Sequence, residues 1–159
     1  MPPTPELRAH VLELLRGGHA HLTLEQSVRG LSFADAGRKP PRAPYTAWQQ
    51  VEHMRLAQWD ILEFVRNPQH ESPAWPDGYW PPAAKPPSAA AWRRSRADLL
   101  ADFDAFLGLV SDDRQDLLAP LAHAPDKTLL REALLLADHN SYHIGQLVLL
   151  RRLLGAWRG

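Results

Sequence analysis

The chain has 159 residues, 45% of them apolar and 23% charged, which fits a single globular domain spanning 1–159. Lys and Arg number 18, as do Asp and Glu, so no net charge favours binding to nucleic acid or to an anionic membrane. The chain has no cysteine, which excludes disulfides, thiolate metal ligands and a cysteine nucleophile. We find neither a signal-peptide core nor a membrane-spanning apolar run, and we expect a cytoplasmic protein.

The first third of the chain is predicted to form helices and a loop. The sequence Thr-Pro-Glu at 4–6 combines a capping hydroxyl, a first-turn proline and an acid, which predicts a helix over 5–16. Two glycines follow and should end it. A capping box predicts a short helix from Thr23 to about Leu31, and residues 34–45 are predicted to be a loop.

Three further long helices are expected. A second capping box at Thr46 begins an amphipathic helix over 47–66, which ends before a proline. Ser88 is placed to cap a helix over 89–110, in which aromatic and leucine side chains recur at helical spacing. Thr128 is placed to cap the last helix, 129–154, which is apolar on nearly all sides. Such a helix is expected to be central or to lie in a subunit interface.

The connecting segments carry the prolines and glycines. Residues 111–118 are predicted to form a turn or short helix that prolines end, and Gly155 is predicted to close the last helix. The Pro-rich segment 67–88 is predicted to be an ordered loop. Its aromatic side chains could form the wall of a pocket or plug the core. They are Trp75, Tyr79 and Trp80. No alternating strand pattern is found, so we predict an all-α fold without strands.

The best metal-ligand candidates lie on two of these helices. His139 and His143 are four residues apart, so their side chains share one face of a helix and can bind one metal ion. A firmly held metal needs a third ligand, and His53 is the best candidate because its neighbours one turn on are apolar. Each of the three could instead be a hydrogen-bonded core or interface residue.

The remaining histidines are assigned less specific roles. His19 and His21 follow the glycine pair and are predicted to be loop residues, one of which could be a fourth ligand or a substrate contact. His10, His70 and His123 are predicted to lie on the surface.

Two motifs carry a family resemblance. The first is the stretch Trp48–Asp60 with His53 within it, and the second is His139-x-x-x-His143-Ile-Gly-Gln on the last helix. In these residues, and in the order of its elements along the whole chain, the protein resembles the DinB/YfiT-like superfamily.

The resemblance implies an all-α four-helix bundle with long crossover connections and one divalent metal ion, zinc or nickel, bound by His53, His139 and His143. It implies a homodimer and a small-molecule substrate. Members include transferases of low-molecular-weight thiols such as bacillithiol or mycothiol, thiol-dependent maleylpyruvate isomerases and proteins described as metal-dependent hydrolases. The alternative is a non-catalytic metal-binding or stress-related bundle. No catalytic residue is assigned.

An ion bound by three imidazoles would keep a coordination position for water or a thiol. Ligand imidazoles usually donate their other N–H to a carboxylate or carbonyl. Asp60 and Asp138 are the candidate carboxylates, and each could equally be a surface acid.

Overall fold

Four long helices form the framework of the protein in a computed structural model, which describes residues 5–157. Shorter elements lie in the connections between them. In chain order the helices are α1 (Pro5–Arg16), α2 (Leu24–Val28), α3 (Phe33–Ala36), α4 (Ala47–Arg66), α5 (Ala89–Ser111) and α6 (Leu129–Leu153). A 3-10 turn spans Asp77–Tyr79, and two strands, β1 (Pro120–Leu121) and β2 (Ala124–Thr128), precede α6.

The predicted helix starts are confirmed by their caps. Thr23 and Thr46 each form a complete capping box, in which the threonine side chain and a glutamine three residues on satisfy each other's backbone N–H groups. Ser88 and Thr128 accept hydrogen bonds from the first turns of α5 and α6. Gly155 has a φ of 65°, the left-handed conformation expected after a helix end. The predicted cap at Thr4 lies outside the described residues.

Two predictions about irregular segments were wrong. The expected loop 34–45 begins with α3, because the Ser32 side chain accepts a hydrogen bond from the backbone N–H of Asp35 and starts a helical turn. We also expected no strands, but β1 and β2 form an antiparallel pair with a register irregularity. Strands of two and five residues are too short to show an alternating pattern.

The helices form the predicted all-α bundle. Helix α4 packs against α5 and α6, and α1 packs against the same two helices, so α4 and α1 lie on opposite corners. One apolar core runs through the bundle. Its fully buried members include Trp92, Phe106, Met54, Leu62, Leu99, Leu136 and Leu147.

A buried polar chain joins three of the helices. Asn140 of α6 donates to the side-chain oxygen of Gln58 on α4, and Gln58 donates to the backbone oxygen of Leu99 on α5. Because a buried polar group costs free energy unless it is paired, this chain favours one alignment of α4 against α6. Among residues 5–157, no helix is both long and apolar enough to cross a membrane.

Candidate metal centre

Helices α4 and α6 bring together the three histidines predicted from the sequence. The Nε2 atom of His53 lies 3.2 Å from that of His143 and 3.1 Å from that of His139. One ring nitrogen from each of the three lies within 4.8 Å of the others. Nitrogens bound to one tetrahedral metal ion at 2.0–2.1 Å would be about 3.3–3.4 Å apart. The two separations from His53 are therefore close to those that a shared ion requires.

Hydrogen bonds on the far side of two rings determine where their protons lie. The Nδ1 atom of His53 donates to the backbone oxygen of Tyr79 at 3.0 Å, and Nδ1 of His143 donates to Oε1 of Gln50 at 2.8 Å. The Gln50 amide is oriented in turn by donating to Gln146 at 2.8 Å. Because carbonyl oxygens only accept, both Nδ1 atoms carry protons, and both Nε2 atoms of the neutral rings present lone pairs.

The donor set fits a divalent cation. Two Nε2 lone pairs facing each other at 3.2 Å repel, and a cation between the rings turns that repulsion into coordination. The third ring is His139, whose buried Nδ1 has no hydrogen-bond partner. The buried Oδ1 of the adjacent Asn140 has no partner either. The Asn140 side chain acts on the His139 ring, where it opposes the lowering of the pKa by burial, and its Oδ1 is the acceptor that Nδ1 would take. Each ligand would then have an outer carbonyl or amide partner, as metal-bound imidazoles usually do.

Burial keeps the three rings neutral. It lowers the pKa of His139 to about 4, with a further contribution from the neighbouring His53. Burial, together with His139 and His53, lowers the pKa of His143 to about 3. The pKa of His53 is also lowered by burial, against the opposing effect of its bond to Tyr79. Protons therefore compete weakly with a metal ion for these nitrogens at neutral pH.

Aromatic rings cover the triad. The Trp80 indole lies flat on His53, with 3.9 Å between centroids and 4° between planes, and Tyr45 stacks on the other face of Trp80 at 4.1 Å. Tyr142, largely exposed, meets His143 edge-on. Of the loop aromatics, Trp80 thus forms a wall and Tyr79 is buried as a plug, whereas Trp75 is 76% exposed.

The other predicted contributors lie elsewhere. His19 faces Glu13 at 3.2 Å on the surface, and His21 contacts the Ser141 hydroxyl at 3.0 Å, so neither joins the triad. Asp138 is exposed.

Asp60 does not contact a ligand ring. Its carboxylate accepts from the Tyr79 hydroxyl and from His70, each at 2.7 Å. The prediction that His70 lies on the surface was wrong, because only 7% of its side chain is exposed. His10 and His123 are exposed, as expected.

The sequence reasoning missed Gln50 and Tyr45. Gln50 could have been found, because it lies three residues before His53 on the same helix face, just as Gln146 lies three residues after His143. No such pattern identifies Tyr45, which reaches the site only because the loop brings Trp80 against it.

Comparison with known proteins gives one family. The model of the DinB superfamily matches residues 19–147, most of the chain, and that span includes all three histidines. No curated protein and no solved structure matches the chain.

The metal-free protein should lose stability as the pH falls below neutrality. The pKa values of His139 and His143 are about 4 and 3 in the folded protein, against 6.5 for an ordinary exposed histidine. Below about pH 6.5 the unfolded chain therefore binds protons that the folded chain does not. The free energy of unfolding should fall by up to about 1.4 kcal/mol per pH unit for each histidine.

Urea unfolding at pH 7 and pH 5 in the presence of a chelator measures this loss. His143→Gln should reduce the difference between the free energies of unfolding at pH 7 and pH 5, because it removes one of the histidines whose pKa is lowered by folding. If the free energy of unfolding depends equally on pH in the variant and in the natural protein, the lowered pKa of His143 is contradicted.

Proposed function

Because this chain belongs to the DinB superfamily, we propose that it is a metal-dependent enzyme that binds one divalent ion through His53, His139 and His143. The convergence of three Nε2 atoms, with 3.1 and 3.2 Å between neighbours, carries the proposal. Three neutral imidazoles at this spacing are typical of a catalytic site that leaves one position for an outside ligand.

Zinc or nickel is the proposed ion, since imidazole nitrogen suits both. Such a site supplies Lewis-acid chemistry, by which water or a thiol loses its proton near neutral pH. The protein's own residues orient the ligands: Tyr79 through its carbonyl oxygen for His53, and Gln50 through its amide for His143. Trp80 shields one face of His53 from water.

The proposed substrate is a small electrophile, attacked by water in a hydrolase or by a low-molecular-weight thiol in a transferase. The chain has no cysteine, so the thiol would come from the cell. Trp80 lies beside the histidines and is placed to contact such a molecule. No residue is assigned a proton-transfer role.

Metal content tests the first part of the proposal. Protein purified without an affinity tag should contain about one equivalent of metal per chain, and His139→Ala should contain far less because it loses a ligand. His10→Ala is the matched control, since His10 is an exposed histidine on α1. Less than half an equivalent in the natural protein, unchanged in His139→Ala, would argue against a metal centre.

Turnover tests the second part. The metal-loaded protein should conjugate thiols to, or hydrolyse, members of a panel of electrophiles and esters, and His53→Ala should abolish turnover while circular dichroism shows intact folding. His123→Ala, which alters an exposed histidine, should retain activity. A protein that binds metal stoichiometrically without turnover on any substrate would instead favour the non-catalytic metal-binding alternative.

We also propose that the protein forms a homodimer through the outer face of α6. Leu135, Tyr142 and Leu149 are spaced seven residues apart and are 37%, 65% and 58% exposed, and Leu153 extends the same stripe. An exposed apolar stripe on a helix is typical of a helix–helix interface.

Sedimentation tests this interface. Leu149→Glu should convert a dimer to a monomer, because it would bury a charge between the helices. Leu118→Glu, a change at an exposed leucine outside α6, should leave the dimer intact. A natural protein that sediments as a monomer would contradict the proposal.

A further inference from the structure

The loop between α4 and α5, residues 67–88, makes two contacts with His53. The backbone oxygen of Tyr79 accepts the Nδ1 proton, and the Trp80 ring lies flat on the imidazole. The regular structure of this loop is a single 3-10 turn, which does not by itself hold a carbonyl in place. Whatever fixes the loop therefore also fixes the orientation of His53.

Asp60 of α4 fixes the loop from the helix side. The Tyr79 hydroxyl donates to Oδ2 of Asp60 at 2.7 Å, and Nε2 of His70 lies 2.7 Å from Oδ1. Both oxygens of one carboxylate are thus bound by loop residues. The side chains of Asp60 and His70 are 13% and 7% exposed, so water competes little for these bonds.

The surroundings of the carboxylate favour a defined geometry. The His70 ring packs edge-on against Trp59, with 5.1 Å between centroids. Burial, together with the bond to Asp60, raises the pKa of Tyr79 to about 12, so its hydroxyl remains a donor. Asp60 follows His53 by seven residues, two turns on the same face of α4, so one rigid helix holds both groups about 10 Å apart.

We propose that Asp60 is a positioning residue of the metal centre, acting through Tyr79 and His70. By holding the loop, it keeps the Tyr79 carbonyl on Nδ1 of His53 and leaves Nε2 free to bind the ion. Without this anchor the carbonyl can withdraw, and the neutral ring can carry its proton on Nε2, where it blocks coordination. The inference rests on the proposed metal-binding function.

Zinc affinity tests the inference. Tyr79→Phe removes one hydroxyl, and Asp60→Asn replaces an acceptor by a group that also donates. Each should weaken zinc binding about 10- to 100-fold in a competition titration against a chromophoric chelator. Glu63→Gln is the matched control, an acid on the same helix paired with Arg66 rather than with the loop. Its affinity should stay within about twofold of the natural protein's.

The protonation pattern of His53 separates positioning from a general loss of stability. Long-range ¹H–¹⁵N spectra of the metal-free natural protein should show the proton of His53 on Nδ1. In Tyr79→Phe the ring should exchange between its two neutral forms. A variant that is only less stable would unfold at lower urea concentration but keep the proton on Nδ1.

The outcomes separate the two proposals. A natural protein that binds no zinc would overturn the metal centre itself. A natural protein that binds zinc, with both variants folded and indistinguishable from Glu63→Gln, would overturn only the positioning role. If Asp60→Asn does not fold, the zinc affinity of Tyr79→Phe by itself tests the positioning role. A proton on Nε2 of His53 in the natural metal-free protein would also overturn the positioning role.

Discussion

The packing of α4 against α6 is the constraint on which the rest of the site depends. It brings a ring from one helix between two rings from the other, with only 3.1 and 3.2 Å between the nitrogen atoms that meet. The lone pairs of His53 and His143 repel each other at 3.2 Å without a cation, so the packing of the two helices must maintain this contact. The apolar core and the polar chain from Asn140 through Gln58 to Leu99 provide that packing, because a shifted helix would leave buried amides unpaired.

The same constraint explains the polar groups around the histidines. A buried neutral imidazole has two nitrogens, and if one faces a metal ion the other must find a partner. For His143 the partner comes from α4 itself, as Gln50, which Gln146 of α6 orients. For Nδ1 of His53 the partner comes from the loop, as the backbone carbonyl of Tyr79. The loop must therefore be ordered, which accounts for the aromatic side chains in a Pro-rich segment.

Much of the fold could be predicted because its determinants are local. Capping boxes at Thr23 and Thr46, and the caps at Ser88 and Thr128, identify helix starts from three or four residues each. The pair of strands before α6 could not be predicted, because β1 has only two residues and so shows no alternating pattern. Histidine spacing and the apolar neighbours of His53 identified the candidate ligands. The role of His70 could not be predicted, since it depends on how a loop without periodicity folds back onto Asp60.

The electrostatics of the centre follow from which groups reach it. The three rings are neutral, and the outer nitrogens of His53 and His143 bond to a backbone carbonyl and a side-chain amide. The nearby carboxylate, Asp60, bonds to Tyr79 and His70 of the loop and not to a histidine of the triad. At about 10 Å and an effective dielectric constant near 20, its attraction for a unit charge is under about 2 kcal/mol. A divalent ion bound here would keep most of its positive charge. That charge would favour an anionic outside ligand and would lower the pKa of a bound water or thiol more than a carboxylate-rich site does.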